Sequence, residues 1–357
     1  MSDRGIDVIM ASADGEEVKD IVQAEGVVHV SFPLSRSISP FLDIYAIIKL
    51  TLWLRKGKFD IVHSHTPKAG FVGMIASYLA RIPIRMHTIA GIPWIQSSGI
   101  KRSILRSVDR LIYLCATNVY SNSRELLKFI ERERLVHIRK LNILGLGSSN
   151  GIDMEYFSPE SVNLSKGELR EDLGIKSDSF VYLFVGRVVR DKGMNELFRA
   201  FSQMSTGCNL VIVGPLESSL DPFDSQALEF FQNSENVHMM GYQNDVRPFF
   251  KLSDVLVFPS HREGFPNVPL QALAMELPSI VTDINGCNEI VQQELNGLLI
   301  KPKCSESLLN AMNRVREDQK LYERLKYNSR KSMMNRYDQK YVHELIFNEY
   351  QRLYESV

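Results

Sequence analysis

The segment Gly186-Arg-Val-Val-Arg-Asp-Lys-Gly193 lies at the end of the apolar run Phe180–Gly186 and directly before the amphipathic stretch Met194–Phe201. This order predicts a buried strand, a glycine turn and a helix in immediate succession. In open parallel sheets such turns lie at the carboxyl ends of the strands, where ligands bind. The segment therefore indicates both an α/β fold and a candidate ligand site.

The residue types in this turn suit an anion. Gly186 and Gly193 allow backbone amides to point at a ligand, and the helix N-terminus adds partial positive charge. Arg187 and Lys192 can meet the oxygens of a diphosphate from two sides. A helix start with two solvated cations explains the same residues equally well.

A second segment of the same kind is Pro259-Ser-His-Arg-Glu-Gly-Phe-Pro-Asn-Val-Pro-Leu-Gln-Ala-Leu-Ala274. Here too a strand leads into a loop and a helix. We expect Pro266 in the first helical turn, because its fixed φ suits that position. The amides of Asn267 and Val268 would then be unpaired donors suited to a phosphate.

Two further side chains of this segment are candidates for ligand contact. Glu263 lies in the loop, and Gln271 lies more than one turn into the predicted helix. They are far enough apart to hold different parts of one extended ligand. A nucleoside diphosphate sugar has that length.

Short apolar runs alternate with amphipathic stretches along most of the chain, which is typical of βαβ units with buried parallel strands. A turn cluster at Ser148–Asp153 separates two such series, and the pattern is purely helical from Ser305 onward. We predict two doubly wound lobes with a ligand cleft between them. The other predicted strands are Asp7–Ala11, Val27–Ser31, Asp60–Ser64, Arg85–Thr88, Asn118–Ser121, Asn209–Gly214, Val237–Gly241, Val255–Pro259 and Ser279–Thr282.

Composition supports a globular protein. Of 357 residues, 44% are apolar and 24% charged, which excludes disordered, collagen-like and coiled-coil classes. Basic and acidic residues number 42 each, so net charge gives no support for nucleic acid as a partner. The first 150 residues nevertheless carry 20 basic and 13 acidic side chains. This excess indicates either an anionic partner of the first lobe or an ordinary solvated basic face.

Cysteine spacing and hydropathy indicate the cellular compartment of the protein. The four cysteines lack the spacing of a zinc site or a disulfide framework, which favours a reducing compartment. No apolar run is long enough to span a bilayer, and the first residues lack a secretory signal pattern. We therefore expect a cytoplasmic protein.

Taken together, the motifs carry a family resemblance. The strand–GRxxxxKG–helix, the strand–REGFPNxxLQA–helix and the SNGID linker resemble family 4 of the retaining glycosyltransferases, which have the GT-B fold. The segments His63–Gly70, Ser260–Phe265 and Thr282–Glu289 are similar to bacterial members that build capsule, O-antigen or exopolysaccharide units. The resemblance covers nearly the whole chain.

This resemblance implies roles for matching residues. Arg187 and Lys192 match the cations that hold the donor diphosphate, and Glu263 matches the acid that contacts the donor sugar. The family's second acid is here Gln271, whose amide can still accept from one ribose hydroxyl and donate to the other. His87 resembles the first-lobe histidine near the sugar. The implied donor-binding set is completed by Gly186, Gly193, Phe265, Asn267, Val268 and Tyr242.

Other polar residues have simpler explanations. We expect His63 and His65 to be buried core histidines. Asn288 and Glu289 line the cleft or cap a helix, and capping is favoured. The resemblance implies a same-face internal return, in which the leaving diphosphate takes the acceptor proton, without an enzyme nucleophile. We therefore expect no metal and no other cofactor.

The resemblance also sets the expected domain boundaries. These are an N-terminal lobe over 1–150, a linker over 151–175, a C-terminal nucleotide-sugar lobe over 176–335 and a final helix over 336–357 that could cross back to the first lobe. Met1–Met10 resembles the end of the family's first helix plus its second strand. The family's first strand thus has no counterpart, and we expect the natural protein to carry roughly 20 more residues at its front.

The predicted function is transfer of a hexose or N-acetylhexosamine from a nucleotide sugar, favoured as UDP-linked, to a polyprenyl-diphosphate-linked saccharide. The alternatives are a weak or inactive sugar-nucleotide binder, a non-hydrolysing UDP-sugar 2-epimerase and, least supported, a NAD-dependent dehydrogenase. The stretch Ile100–Tyr113 places Lys101, Arg102, Arg106 and Arg110 around an apolar stripe. Such a helix either contacts the inner face of the anionic membrane or is an ordinary surface helix.

Overall fold

A computed structural model describes residues 1–35, 39–217 and 221–357 of the chain. These residues form two compact units. The first comprises Met1–Ser149 together with His343–Val357, and the second comprises Asn150–Val342.

The first unit alternates short parallel strands with helices. Its elements are β1 (Ile9–Ser12), α1 (Glu16–Glu25), β2 (Val28–Ser31), α2 (Pro40–Lys56), β3 (Ile61–Ser64), α3 (Pro67–Leu79), β4 (Ile84–Ile89), α4 (Gly99–Cys115), β5 (Asn118–Ser121), α5 (Arg124–Arg132) and β6 (Leu141–Ile143). The predicted strands are present with shifts of one or two residues at their ends. β6 was not predicted, because three residues are too short to show a pattern.

The strands of this unit form two separate sheets in the described part of the chain. β1 and β2 pair in parallel, and β3, β4, β5 and β6 form a four-stranded parallel sheet in that order. The described residues of the first lobe therefore do not form one continuous sheet.

Helix α3 is the central helix of this unit and packs against both α2 and α4. Its side chains Val72, Met74 and Ala76 are buried. A helix that is apolar all round belongs in the interior, and α3 follows this rule.

The second unit contains one six-stranded parallel sheet in the order β12-β11-β10-β7-β8-β9. Its strands read as continuous apolar runs because helices cover both faces. The elements are α6 (Lys166–Asp172), β7 (Phe180–Val185), α7 (Met194–Phe201), β8 (Cys208–Val213), α8 (Ser225–Asn233), β9 (Val237–Gly241), α9 (Arg247–Leu252), β10 (Val255–Phe258), α10 (Asn267–Ala274), β11 (Ser279–Thr282), α11 (Cys287–Ile290), β12 (Gly297–Ile300), α12 (Ser305–Glu317) and α13 (Gln319–Lys331). β12 was not predicted.

Residues 151–175, expected as a linker, belong to the second unit. Arg170 on α6 is 5% exposed. Its guanidinium donates to the carboxylate of Asp254 at 2.7 Å and to three backbone carbonyls. A cation buried among these acceptors holds the segment against the sheet.

The final helix, α14 (Gln339–Tyr354), supplies its C-terminal part to the first unit. The hydroxyl of Tyr120 on β5 donates to Glu349 at 2.5 Å. Leu353 is buried against Ile84 and Met86 of β4. None of the helices in the described part of the chain is long and apolar enough to cross a bilayer.

Candidate active site

The two segments singled out in the sequence leave the same edge of the second unit's sheet. β7 and β10 are neighbours that pair in parallel, with Leu183 opposite Leu256. The two segments therefore begin at the carboxyl ends of adjacent strands. The sheet topology brings together residues about 70 positions apart in sequence.

The two loops touch through their backbones. Gly193 has φ +79°, and a Cβ at this position would collide with the carbonyl oxygen of Pro259. The amide of His261 donates to the carbonyl of Asp191 at 2.8 Å. Arg262 donates to the carboxylate of Asp191 at 3.0 Å. Glycine is thus required at position 193 for both its left-handed conformation and its close approach.

Lys192 and Glu263 form an ion pair between the loops. Lys192 Nζ lies 2.5 Å from Glu263 Oε1, which also accepts from the hydroxyl of Ser260 at 2.8 Å. Both charged side chains are largely shielded from water. Burial raises the pKa of the Cys287 thiol, and the charge of Glu263 raises it further. Cys287 itself is fully buried.

Arg187 lies two residues after the end of β7 and is half exposed. Its guanidinium contacts the carboxylate of Glu217 at 3.3 Å. The neighbouring Gly186 donates its amide to Val213 at 2.9 Å and approaches Gly214 so closely that no Cβ fits at position 214. The two glycines keep the ends of β7 and β8 together beside this cation.

Helix α10 begins at Asn267 and not at Pro266. Pro266 is the N-cap residue with ψ 133°, so the prediction that it lies in the first helical turn was wrong. Asn267 is exposed, and Val268 and Gln271 are partly exposed on the same helix. Pro269 occupies the third helical position, where its missing N–H removes no hydrogen bond of the helix.

Phe265 and Tyr242 are two further residues of this unit that were predicted to contact the donor. The ring of Phe265 packs on that of Tyr337 with centroids 5.3 Å apart. Tyr242, which follows β9, is 71% exposed. Asn285, which was not predicted, donates to the carbonyl of Gly264 at 2.8 Å and links a third loop to the site.

The favoured capping role of Asn288 and Glu289 was wrong. Gly286 is the N-cap residue of α11, and both side chains belong to the helix itself. Asn288 donates to the Asp283 carboxylate at 2.9 Å. Glycine at the N-cap position leaves no side chain to bond the helix amides, and Asn288 is already too far into the turn.

His87 belongs to the first unit. It is 3% exposed, and its Nδ1 lies 2.8 Å from the hydroxyl of Ser64. Burial lowers the pKa of His87 to about 3, with a further contribution from His65. A Cβ at Gly70 would lie 2.5 Å from the His87 ring, so only glycine allows α3 to pack here. His87 is therefore a buried, neutral imidazole.

His63 and His65, the two histidines expected in the core, differ in their surroundings. Both ring nitrogens of His63 are hydrogen-bonded, to Tyr350 and to Thr88, each at 2.7 Å. This is the satisfied histidine that we expected. His65 is exposed and stacks on His63 with ring centroids 4.1 Å apart. The expectation that His65 is a core residue was wrong, because it follows the end of β3.

In the residues that the structure covers, no group of three or more His, Cys, Asp or Glu side chains is arranged to hold a metal ion.

Comparison with known proteins decides the family. Residues 165–332 match the family Glycosyl transferases group 1, and residues 1–147 match the Glycosyl transferase 4-like domain. The chain is 32% identical over 356 residues to the capsular polysaccharide biosynthesis glycosyltransferase CapM of Staphylococcus aureus, with 99% of this chain and 90% of CapM covered. The chain belongs to the group 1 glycosyltransferases. This confirms the family resemblance found in the sequence.

Further relatives of this glycosyltransferase agree. It is 33% identical over 305 residues to the Escherichia coli UDP-Gal:alpha-D-GlcNAc-diphosphoundecaprenol alpha-1,3-galactosyltransferase, with 81% of this chain and 74% of the relative covered. The solved structure of Anabaena HepE in complex with UDP and glucose is 18% identical, with a TM-score of 0.81, 96% of this chain and 91% of HepE covered. These comparisons confirm the GT-B fold and give no support to the 2-epimerase.

Three residues of this glycosyltransferase's candidate site were not assigned from the sequence. They are Ser260, Glu217 and Asn285, whose contacts run between separate loops. Ser260 lies in the same segment as Glu263, three residues before it, so its proximity was predictable from the sequence. Nothing in the sequence indicates that Glu217 meets Arg187, since 30 residues separate them.

Proposed function

We propose that the enzyme transfers a hexose or N-acetylhexosamine from a nucleoside diphosphate sugar, UDP-linked, to a lipid-linked saccharide with retention at the anomeric carbon. The observation that carries the proposal is the pair Lys192–Glu263 at adjacent strand ends, with Arg187 on the same edge of the sheet. Two cations at one edge of the sheet can each form charge-assisted hydrogen bonds with the oxygens of a diphosphate. The E. coli relative is named for a UDP-linked donor and a diphosphoundecaprenol-linked acceptor.

The ion pair suggests how the donor enters. The diphosphate takes the place of Glu263 as the partner of Lys192, and Arg187 exchanges Glu217 for a second phosphate oxygen. Glu263 keeps its bond from Ser260 and gains a free lone pair for a sugar hydroxyl. Exchange of one charge-assisted bond for another limits the desolvation cost of binding.

The chemical step then needs no enzyme nucleophile. The bond from the anomeric carbon to the diphosphate oxygen breaks, and the acceptor hydroxyl forms the new bond on the same face. The hydroxyl proton passes to the leaving diphosphate oxygen, which yields the nucleoside diphosphate and the glycoside. Lys192 and Arg187 stabilise the growing charge on the leaving group. We propose that no metal ion takes part.

Three assignments complete this proposal. Gln271 holds the ribose hydroxyls, with its amide accepting one hydrogen bond and donating another. His87 acts in the first unit as a neutral hydrogen-bonding group near the sugar. Gly186, Gly193, Phe265, Asn267, Val268 and Tyr242 shape the donor site.

We also propose that the enzyme works at the inner face of the cell membrane, where a lipid-linked acceptor would be presented. Lys101 and Arg110 on α4 are exposed cations that suit this contact. Arg106 is less suited than the sequence indicated, because it contacts the Glu133 carboxylate at 3.1 Å. Arg102 lies over the ring of Trp94.

The test is a panel of UDP- and GDP-sugars incubated with the enzyme and a polyprenyl-diphosphate-linked acceptor, with products identified by mass. We expect one UDP-sugar to give a product one sugar heavier, with the anomeric configuration of the donor by NMR. Donor binding without turnover would instead support the inactive sugar-nucleotide binder. A changed UDP-sugar in the absence of acceptor would support an epimerase.

A further inference from the structure

Helix α2 is apolar on two opposite sides. Its inner side chains Ala46, Leu50 and Leu54 are buried in the core of the first unit. Its outer side chains are also apolar, although they face water. They are Phe41, which is 90% exposed, and Ile44, Tyr45, Ile48 and Leu52, which are 53–57% exposed.

These five residues, the outer α2 face, form one stripe. Phe41, Ile44 and Ile48, like Phe41, Tyr45, Ile48 and Leu52, are spaced three or four positions apart, so the five residues line one side of the helix. From Phe41 to Leu52 the stripe is about 16 Å long. At the C-terminal end it approaches Tyr78 and Leu79 of α3, which are 56% and 45% exposed, since Arg55 donates to the carbonyl of Leu79 at 2.9 Å. Contiguous apolar patches of this kind on a protein surface mark interaction sites.

The charges beside the stripe have one sign. Lys49, Arg55 and Lys56 of α2 are exposed. The one acidic residue of α2, Asp43, is buried on the inner side and forms an ion pair with Lys68. An apolar stripe flanked by exposed cations is the pattern of a helix that lies in the headgroup region of an anionic bilayer.

A second copy of the chain fits this face less well. Two α2 helices packed across a two-fold axis would bring the cations of both copies towards one another, and α2 offers no exposed carboxylate to balance them. Like charges facing each other oppose association. The charge pattern therefore selects a negatively charged partner.

We propose that the outer α2 face inserts among the headgroups and upper acyl chains of an anionic membrane leaflet. The contact deepens the proposed function, on which it rests for the lipid-linked acceptor, by assigning the membrane attachment to α2 in addition to the basic helix α4. It holds the first unit at the surface where that acceptor lies.

The test measures binding to vesicles of equal parts phosphatidylglycerol and phosphatidylcholine by flotation. The variant carries Ile44→Gln with Ile48→Gln, two exposed changes that keep good helix-forming residues. We expect the partition coefficient to fall roughly tenfold. The matched control carries Leu164→Gln with Met334→Gln, two exposed apolar residues of the second unit, and is expected to bind as the parent does. Far-UV circular dichroism verifies that both variants are folded.

Two further experiments test the contribution of charge to vesicle binding and the possibility that the outer α2 face mediates self-association. Lys49→Gln with Lys56→Gln should weaken binding to the anionic vesicles and leave the weaker binding to pure phosphatidylcholine unchanged. Unaltered flotation of the Ile44/Ile48 variant would overturn the proposal. A dimer in sedimentation velocity that this variant converts to a monomer would also overturn it, by assigning the face to a second copy.

The failure of this surface can be told apart from failure of the proposed function. Titration calorimetry with UDP and turnover with a short-chain acceptor dispersed in detergent need no vesicle. Normal UDP binding and normal turnover in the Ile44/Ile48 variant, together with unaltered flotation, would contradict only the membrane contact of α2. If the parent protein neither bound UDP nor turned over the acceptor, the proposed transfer reaction would be contradicted, whereas the vesicle-binding result would still stand.

Discussion

Lys192 Nζ lies 2.5 Å from Glu263 Oε1, so the cation after β7 is held by the carboxylate after β10. Each side chain is predicted to contact a different part of the donor, and in the protein alone each neutralises the other. The contact orients both side chains at a site that is partly shielded from water.

Replacing the cation tests this arrangement. Lys192→Met should lower kcat/KM by at least about a hundredfold, because it removes charge stabilisation of the leaving diphosphate. The matched control is Arg262→Met, which removes an exposed cation of the adjacent loop that is paired with Asp191. Steady-state kinetics with the donor found in the panel give both values. Equal losses in the two variants would contradict a specific role for Lys192.

Close packing between the loops predicts that alanine destabilises the protein more at Gly193 than at Gly174. Gly193→Ala faces both a positive φ and the Pro259 carbonyl, whereas Gly174→Ala faces a positive φ of 68° with open space around it. We expect the control to lose about 1 kcal/mol of unfolding free energy and Gly193→Ala at least twice that, with loss of activity. Urea denaturation measures the stabilities. Similar costs at the two positions would show that the loops can separate easily.

The buried imidazole of His87 predicts a pH-dependent stability. Its pKa is lowered from 6.5 to about 3, so between these values the unfolded state binds a proton that the folded state does not. Its contribution to stability is therefore complete above pH 6.5 and declines as the pH falls towards 3. Relative to His87→Asn, the parent should lose on the order of 2 kcal/mol between pH 6.5 and 5. Urea denaturation at several pH values tests this, and a constant difference would contradict it.

Burial of Arg170 predicts that residues 151–175 contribute to the stability of the second unit. Arg170→Met should cost about 3 kcal/mol, because it leaves Asp254 and buried carbonyls without their donor. Lys166→Met removes the other cation of Asp254, but its side chain is 38% exposed, so we expect less than about 1 kcal/mol. Thermal or urea unfolding compares the two. A small effect at both positions would restore the linker interpretation.

Most strands, and the loops that follow β7 and β10, were predictable because buried parallel strands are continuous apolar runs that end in glycine or proline turns. The positions of Arg187, Lys192 and Glu263 in these loops were predicted from the same pattern. β6 and β12 were not, since Leu141–Ile143 and Gly297–Ile300 are too short and lack a flanking pattern. Arg170 was missed because a surface cation and a buried one look alike in sequence.

The amino-acid sequence by itself determined the family, the alternation of strands and helices apart from β6 and β12, and the residue types at the two strand ends. These features depend on local pattern and on the chemistry of each segment alone. Tertiary structure alone decided that Lys192 meets Glu263, that His87 is neutral and His65 exposed, and that the outer side of α2 is left uncovered. Pairing, burial and exposure depend on which segments the sheet brings side by side, and neighbours in space are set by packing across distances that no local pattern records.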